Sequence, residues 1–133
     1  MTFDMLQYFL NNRLMETRKV SVLFEALSSD IRLDVFKLLV KNAPGGLVAG
    51  EIARQLNIPS TNLSFHLKAI MHTGLVSMEK EGRFVRYRAN IPLMLDMIGF
   101  LTEQCCSENP EICQAFRDES GVSPLLFQNK DKP

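Results

Sequence analysis

At 133 residues, 46% hydrophobic and 23% charged, the chain has the size and mix of one modest domain around a single core, which excludes a disordered tail, a fibre or a multidomain enzyme with a separate cofactor module. Fifteen Lys and Arg against fifteen Asp and Glu leave no formal net charge. A grossly basic chromatin-type binder is therefore excluded, and the distribution of charge matters more than its sum.

From Pro59 to Asn90, Lys68, Lys80, Arg83, Arg86 and Arg88 outnumber Glu79 and Glu81, a local balance of +3. From Asp96 to Glu119, six acids (Asp96, Glu103, Glu108, Glu111, Asp118 and Glu119) face only Arg117, a balance of −5. The first stretch suits phosphate and the second would avoid it. Asp96 interrupts the longest apolar candidate, Leu93 to Leu101, well short of the about 20 residues that span a bilayer. Thr2 to Leu14 lacks the basic start and small-residue cleavage site of a secretory signal, so a soluble, cytoplasmic protein is expected. Three cysteines make an odd count without the framework of a secreted scaffold, which favours thiols in a reducing compartment.

Phe3, Leu6, Phe9, Leu10 and Leu14 recur at helical spacing and predict an amphipathic N-terminal extension over residues 1–17. Val20, Leu23, Phe24 and Leu27 predict a core-facing helix ending at Ser28 and Ser29. Ser29 then caps another, with Asp30 in its first turn and Phe36, Leu39 and Val40 as its buried stripe, until Asn42-Ala43-Pro44-Gly45-Gly46 stops it. Val48, Ile52 and Leu56 mark a short helix, and Asn57-Ile58-Pro59 turns the chain into the next, with Pro59 expected as its first helical residue. Leu63, Leu67 and Ile70 form the buried side of that second helix, which Gly74 terminates, so Thr61, Phe65, Lys68 and His72 fall on the outer side with Asn62 and Ser64 flanking.

From Leu75 to Ala89 the period becomes two: Val76 and Met78, then Val85, Tyr87 and Ala89, alternate around Glu81-Gly82, as in a hairpin with a basic edge. A helix starting near Pro92 is apolar around most of its circumference, through Leu93, Met94, Leu95, Met97, Ile98, Phe100 and Leu101, and a partner subunit is its natural cover. Beyond Cys113 a frayed tail is expected. The element order is that of a mainly α winged helix-turn-helix with a β-hairpin wing.

Ala26-Leu27-Ser28-Ser29-Asp30-Ile31-Arg32-Leu33, Ile58 through Lys68, Gly74-Leu75-Val76 and Glu81 through Tyr87 together resemble the ArsR/SmtB family over residues 18–101. The resemblance implies a homodimeric winged-helix repressor, joined through its terminal helices, that leaves operator DNA when a metal or metalloid binds, and it implies no enzymatic activity. It divides the chain into the extension 1–17, a DNA-binding and dimerisation domain 18–104, and a metalloid-binding segment and flexible tail 105–133. Leu47 to Leu56 lacks the Cys-x-Cys of the best-known arsenic sensors. Cys105, Cys106 and Cys113 instead resemble the subgroup in which a vicinal pair plus one later cysteine bind trivalent arsenic or antimony.

Three thiolates without an adjacent histidine suit a thiophilic three-coordinate ion better than nickel, a hard cation or four-coordinate zinc. Ordinary helix packing by Cys105 and Cys106 is the plain alternative. Two other readings remain: a family member sensing methylated arsenicals through two cysteines, and a thiol redox sensor. An oxidoreductase is disfavoured, since adjacent cysteines make a strained disulfide and no Cys-x-x-Cys is present. For DNA, Ser60, Thr61, Asn62, Ser64, Phe65 and Lys68 are the candidate reading face, because a phenylalanine amid polar neighbours suits a thymine methyl better than water. His66 borders the buried side and is expected to be packed rather than to read a base. Arg83, Arg86 and Arg88 are expected on phosphates, where they position rather than specify. No cofactor is needed for DNA binding, and a winged helix that binds protein instead of DNA is the competing module.

Overall fold

The computed structural model describes residues 15–105 and 107–123. The extension predicted at residues 1–17 lies almost wholly outside them. In chain order the elements are α1 (Thr17–Ala26), α2 (Asp30–Lys41), β1 (Leu47–Val48), α3 (Ala49–Leu56), α4 (Ser60–Met71), β2 (Val76–Glu81), β3 (Phe84–Ala89), α5 (Ile91–Thr102) and α6 (Pro110–Glu119). The chain divides into two compact units at Phe100/Leu101.

The first unit is built on one core. Leu23 of α1, Val35, Phe36 and Leu39 of α2, Ile52 of α3, Leu63, Leu67 and Ile70 of α4, and Leu75, Val76 and Met97 form a continuous buried cluster. Each such side chain contributes roughly 1.5–3 kcal/mol on leaving water, so the helix-turn-helix is held chiefly by the apolar stripes of α2, α3 and α4 meeting one another. The Ser29 hydroxyl accepts the Arg32 N–H at 3.4 Å and caps α2 as expected, with Asp30 in the first turn. In α1 the stripe runs Val20, Leu23, Ala26, which rotates Phe24 outward to 42% exposure, contrary to its expected place in the core.

The three strands pair antiparallel in the order β1-β3-β2. The wing hairpin pairs Val76 with Ala89 and Glu81 with Phe84, leaving Gly82-Arg83 as a two-residue turn. Gly82 takes φ +64°, the conformation such a turn demands at its first central position. β1 is unforeseen by periodicity: Leu47 pairs with Tyr87 and Val48 with Arg86, lashing the linker to the base of the wing. Gly46 makes that approach feasible. Its φ is +74°, and a Cβ there would stand 2.2 Å from the Tyr87 carbonyl oxygen. Met78, expected on the inward face of β2, is 42% exposed, because only Val76 at the start of that strand reaches the core.

α5 ends at Thr102, and among its residues only Met97 is fully buried, while Leu95 is 42% exposed. In the second unit Pro110 opens a new helix, α6, where a loose tail was expected. Proline at the first helical position lacks only an N–H that would be unpaired there anyway, so it starts this helix as effectively as it ends the preceding segment. No described helix is long and apolar enough to cross a membrane.

Candidate nucleic-acid interface and thiol pair

The turn between α3 and α4 is set by Asn57, which adopts the left-handed conformation (φ 52°) as the C-cap of α3. Pro59 then stands one residue earlier than expected. It is the extended N-cap of α4, and Ser60 is the first helical residue. Leu63, Leu67 and Ile70 are at most 1% exposed, so the opposite face of α4 is presented to solvent. Ser60, Thr61, Asn62, Ser64, Phe65 and Lys68 are all exposed on it, as is His72. Phe65 stands out at 69% exposure. His66 is half-buried and lies with Nδ1 3.5 Å from Arg32 Nη1, as a packed histidine would.

The wing arginines differ from one another. Arg83 sits exposed at the turn, with its guanidinium 5.8 Å from the centroid of the Phe84 ring. Arg86 donates to Glu81 at 2.8 Å and to the Gly46 carbonyl at 3.2 Å, tying the wing to the linker. Arg88 donates to Glu79 at 2.9 Å. Both ion pairs run diagonally across the hairpin. Arg86 and Arg88 are thus paired with carboxylates in the free chain, while Lys68 on α4 and Arg83 at the wing tip are exposed. Arg54 of α3 is likewise held by Glu51, whose carboxyl that arginine's hydrogen bonds, with help from Gln55, lower to about 2.

The thiols lie in the second unit. The turn after α5 and the first turn of α6 bring Cys105 Sγ to 3.8 Å from Cys113 Sγ. Cys105 is exposed and Cys113 is 4% exposed. Cys113 takes part in a disulfide in this structure, so a soft ion would meet this site in its reduced form. Cys106 lies outside the described residues, and among the described residues no cluster of three metal-binding side chains is present. Sulfurs 3.8 Å apart are within the span of a single ion making bonds of about 2.3 Å to each. α5 stops at Thr102 and α6 begins at Pro110, so the chain has already left the helix before Cys105.

A family model described as a helix-turn-helix domain matches residues 27–79. The transcriptional repressor SdpR of Bacillus subtilis (strain 168) is 30% identical over 78 residues, covering 59% of this chain and 83% of that protein. An ArsR-like transcriptional regulator from Rhodococcus sp. RHA1 superposes with a TM-score of 0.59 at 22% identity, over 79% of this chain and 96% of that one. The chain belongs to the ArsR/SmtB family of winged helix-turn-helix regulators. A third similar structure is the homodimeric winged helix-turn-helix DNA-binding domain Mb0332 from Mycobacterium bovis, a possible ArsR-family regulator, with TM-score 0.52 and 23% identity over 65% of this chain and 81% of that fragment. As an ArsR/SmtB regulator the protein is a DNA-binding transcription factor and not an enzyme. In that family frame α3 and α4 are the helix-turn-helix and β2-β3 the wing, the architecture expected from the order of elements.

Proposed function

We propose that this ArsR/SmtB regulator is a metalloid-responsive repressor, bound to operator DNA as a homodimer and released when trivalent arsenic or antimony binds Cys105, Cys106 and Cys113. The observation that carries this reading is the 3.8 Å approach of the Cys105 and Cys113 sulfurs across the α5–α6 turn. Soft thiolates select a thiophilic ion, and the pyramidal three-coordinate habit of trivalent arsenic needs no fourth ligand. Once a thiol reductant has opened the Cys113 disulfide, binding arsenous acid converts three S–H bonds into three As–S bonds and releases three waters, with no change in the oxidation state of arsenic. Homodimerisation is supported by α5, which buries only Met97 within its own chain and leaves a largely apolar surface, and by the homodimeric state of the Mycobacterium bovis domain.

Coupling follows from position in the chain: Cys105 is three residues past the last residue of α5. Ligand closure fixes that end of the helix, and in a dimer joined through α5 a change there re-spaces the two copies of α4. Thiol counting on the reduced protein tests the site. Arsenite should protect three thiols per protomer at one equivalent, and Cys113→Ser should abolish tight binding. Protection of none removes the metalloid reading, and protection of two, with Cys113→Ser unaffected, moves it to a two-thiol site for methylated arsenicals.

A further inference from the structure

We infer that Arg32 is a positioning residue for operator recognition, acting through His66 on the exposed Phe65 ring. The inference rests on the reading of α4 as the DNA-contacting helix. Arg32 is the third residue of α2, and its Nε donates to the Ala26 carbonyl at 2.6 Å. Ala26 ends α1, where carbonyls lack intrahelical partners and the dipole favours a cation. Its Nη1 lies 3.5 Å from His66 Nδ1. A guanidinium has only donors, so at this contact Nδ1 is the accepting atom. One side chain therefore joins the end of α1, the start of α2 and the middle of α4.

The His66 ring stands edge to face with Phe65, the centroids 5.5 Å apart and the planes at 78°. Phe65 is 69% exposed, and with Arg32 it lines an open groove of about 540 Å³ between α1 and α4. An aromatic side chain so placed has rotamers to lose when it docks on DNA, and holding it beforehand lowers that loss. Arg32 fixes the histidine, and the histidine supplies the edge against which Phe65 rests.

A positioning role differs measurably from a merely structural one. A loss of packing would weaken operator and non-specific DNA together, whereas mis-aimed Phe65 weakens only the operator. Fluorescence anisotropy on the protein's own promoter fragment and on a scrambled duplex should show Phe65→Ala losing about tenfold in operator affinity, and Arg32→Ala and His66→Asn each losing roughly three- to tenfold, with scrambled DNA within about twofold of the parent. His66→Asn keeps an acceptor but removes the ring edge, and it stands in for Arg32→Ala if that variant folds poorly. In the Phe65→Ala background either second substitution should add less than about twofold, because its target is already gone. Additive losses, or equal losses on both duplexes, overturn the relay while leaving α4 as the reader. An unchanged operator affinity in Phe65→Ala overturns the α4 reading and the relay with it.

Discussion

With α4 as the proposed DNA-reading helix, Phe65 and Lys68 would do two different things on one helix face. An exposed phenylalanine offers an apolar surface for a thymine methyl, and a lysine offers a point charge for phosphate. Phe65→Ala should therefore leave the melting temperature within about 2 °C and weaken the operator roughly tenfold, while Lys68→Ala should weaken operator and scrambled DNA alike. At the wing, Arg83→Ala should lower the dependence of log K on log salt by about one unit, as loss of one phosphate contact requires. Arg86 serves differently. It is tied to Glu81 and to the Gly46 carbonyl, so Arg86→Ala should weaken DNA by loosening the wing, seen as faster amide exchange in β3 rather than as a changed salt slope alone. Gly46→Ala is the sharpest stability test, since the new Cβ would strike the Tyr87 carbonyl oxygen at 2.2 Å and the backbone is left-handed. A loss of about 2–4 kcal/mol in chemical denaturation is expected.

At the scale of elements, what was legible in the sequence was whatever repeats along one segment. α4 shows its buried and exposed faces because Leu63, Leu67 and Ile70 fall on one side of a 3.6-residue turn and all three are buried. Ser29 announces α2 through a local cap. What stayed hidden depends on distant partners. β1 has two residues, too few to show a period of two, and exists only because Leu47 and Val48 find Tyr87 and Arg86 some 40 positions on. The neutralisation of Arg86 and Arg88 needs the strand register, which the two-residue turn at Gly82-Arg83 would have supplied had Glu79 and Glu81 been laid diagonally against them. α6 is hard to see in the sequence because Asn109-Pro110 can stop a helix as readily as open one, and because Cys113 is the one buried residue on a helix whose other large apolar side chains, Ile112 and Phe116, are exposed. The thiol pair itself was only half legible. Cys105 and Cys113 come together across the α5–α6 turn, while Cys106 lies outside the described residues.

At the scale of the whole molecule, the proposed repressor acts as two copies. α5 presents Leu95 at 42% exposure among other apolar side chains, a surface that a single small core leaves uncovered. Leu95→Glu should shift the sedimenting species from dimer to monomer at micromolar concentration with the helix content retained, and operator affinity should fall steeply, since two half-sites then lose their linked reader. A parent protein that sediments as a monomer would overturn the proposed homodimeric repressor. In the proposed mechanism, release of DNA arises from the thiol segment acting on the dimer. The direct measurement is anisotropy of the labelled promoter fragment bound to reduced protein while arsenite is added stepwise, with Cys113→Ser alongside. The parent should leave the DNA near one arsenite per protomer while Cys113→Ser stays bound throughout; a parent that remains on the DNA at saturating arsenite, or a Cys113→Ser variant that leaves it with the parent's dose dependence, would contradict the three-thiolate repressor.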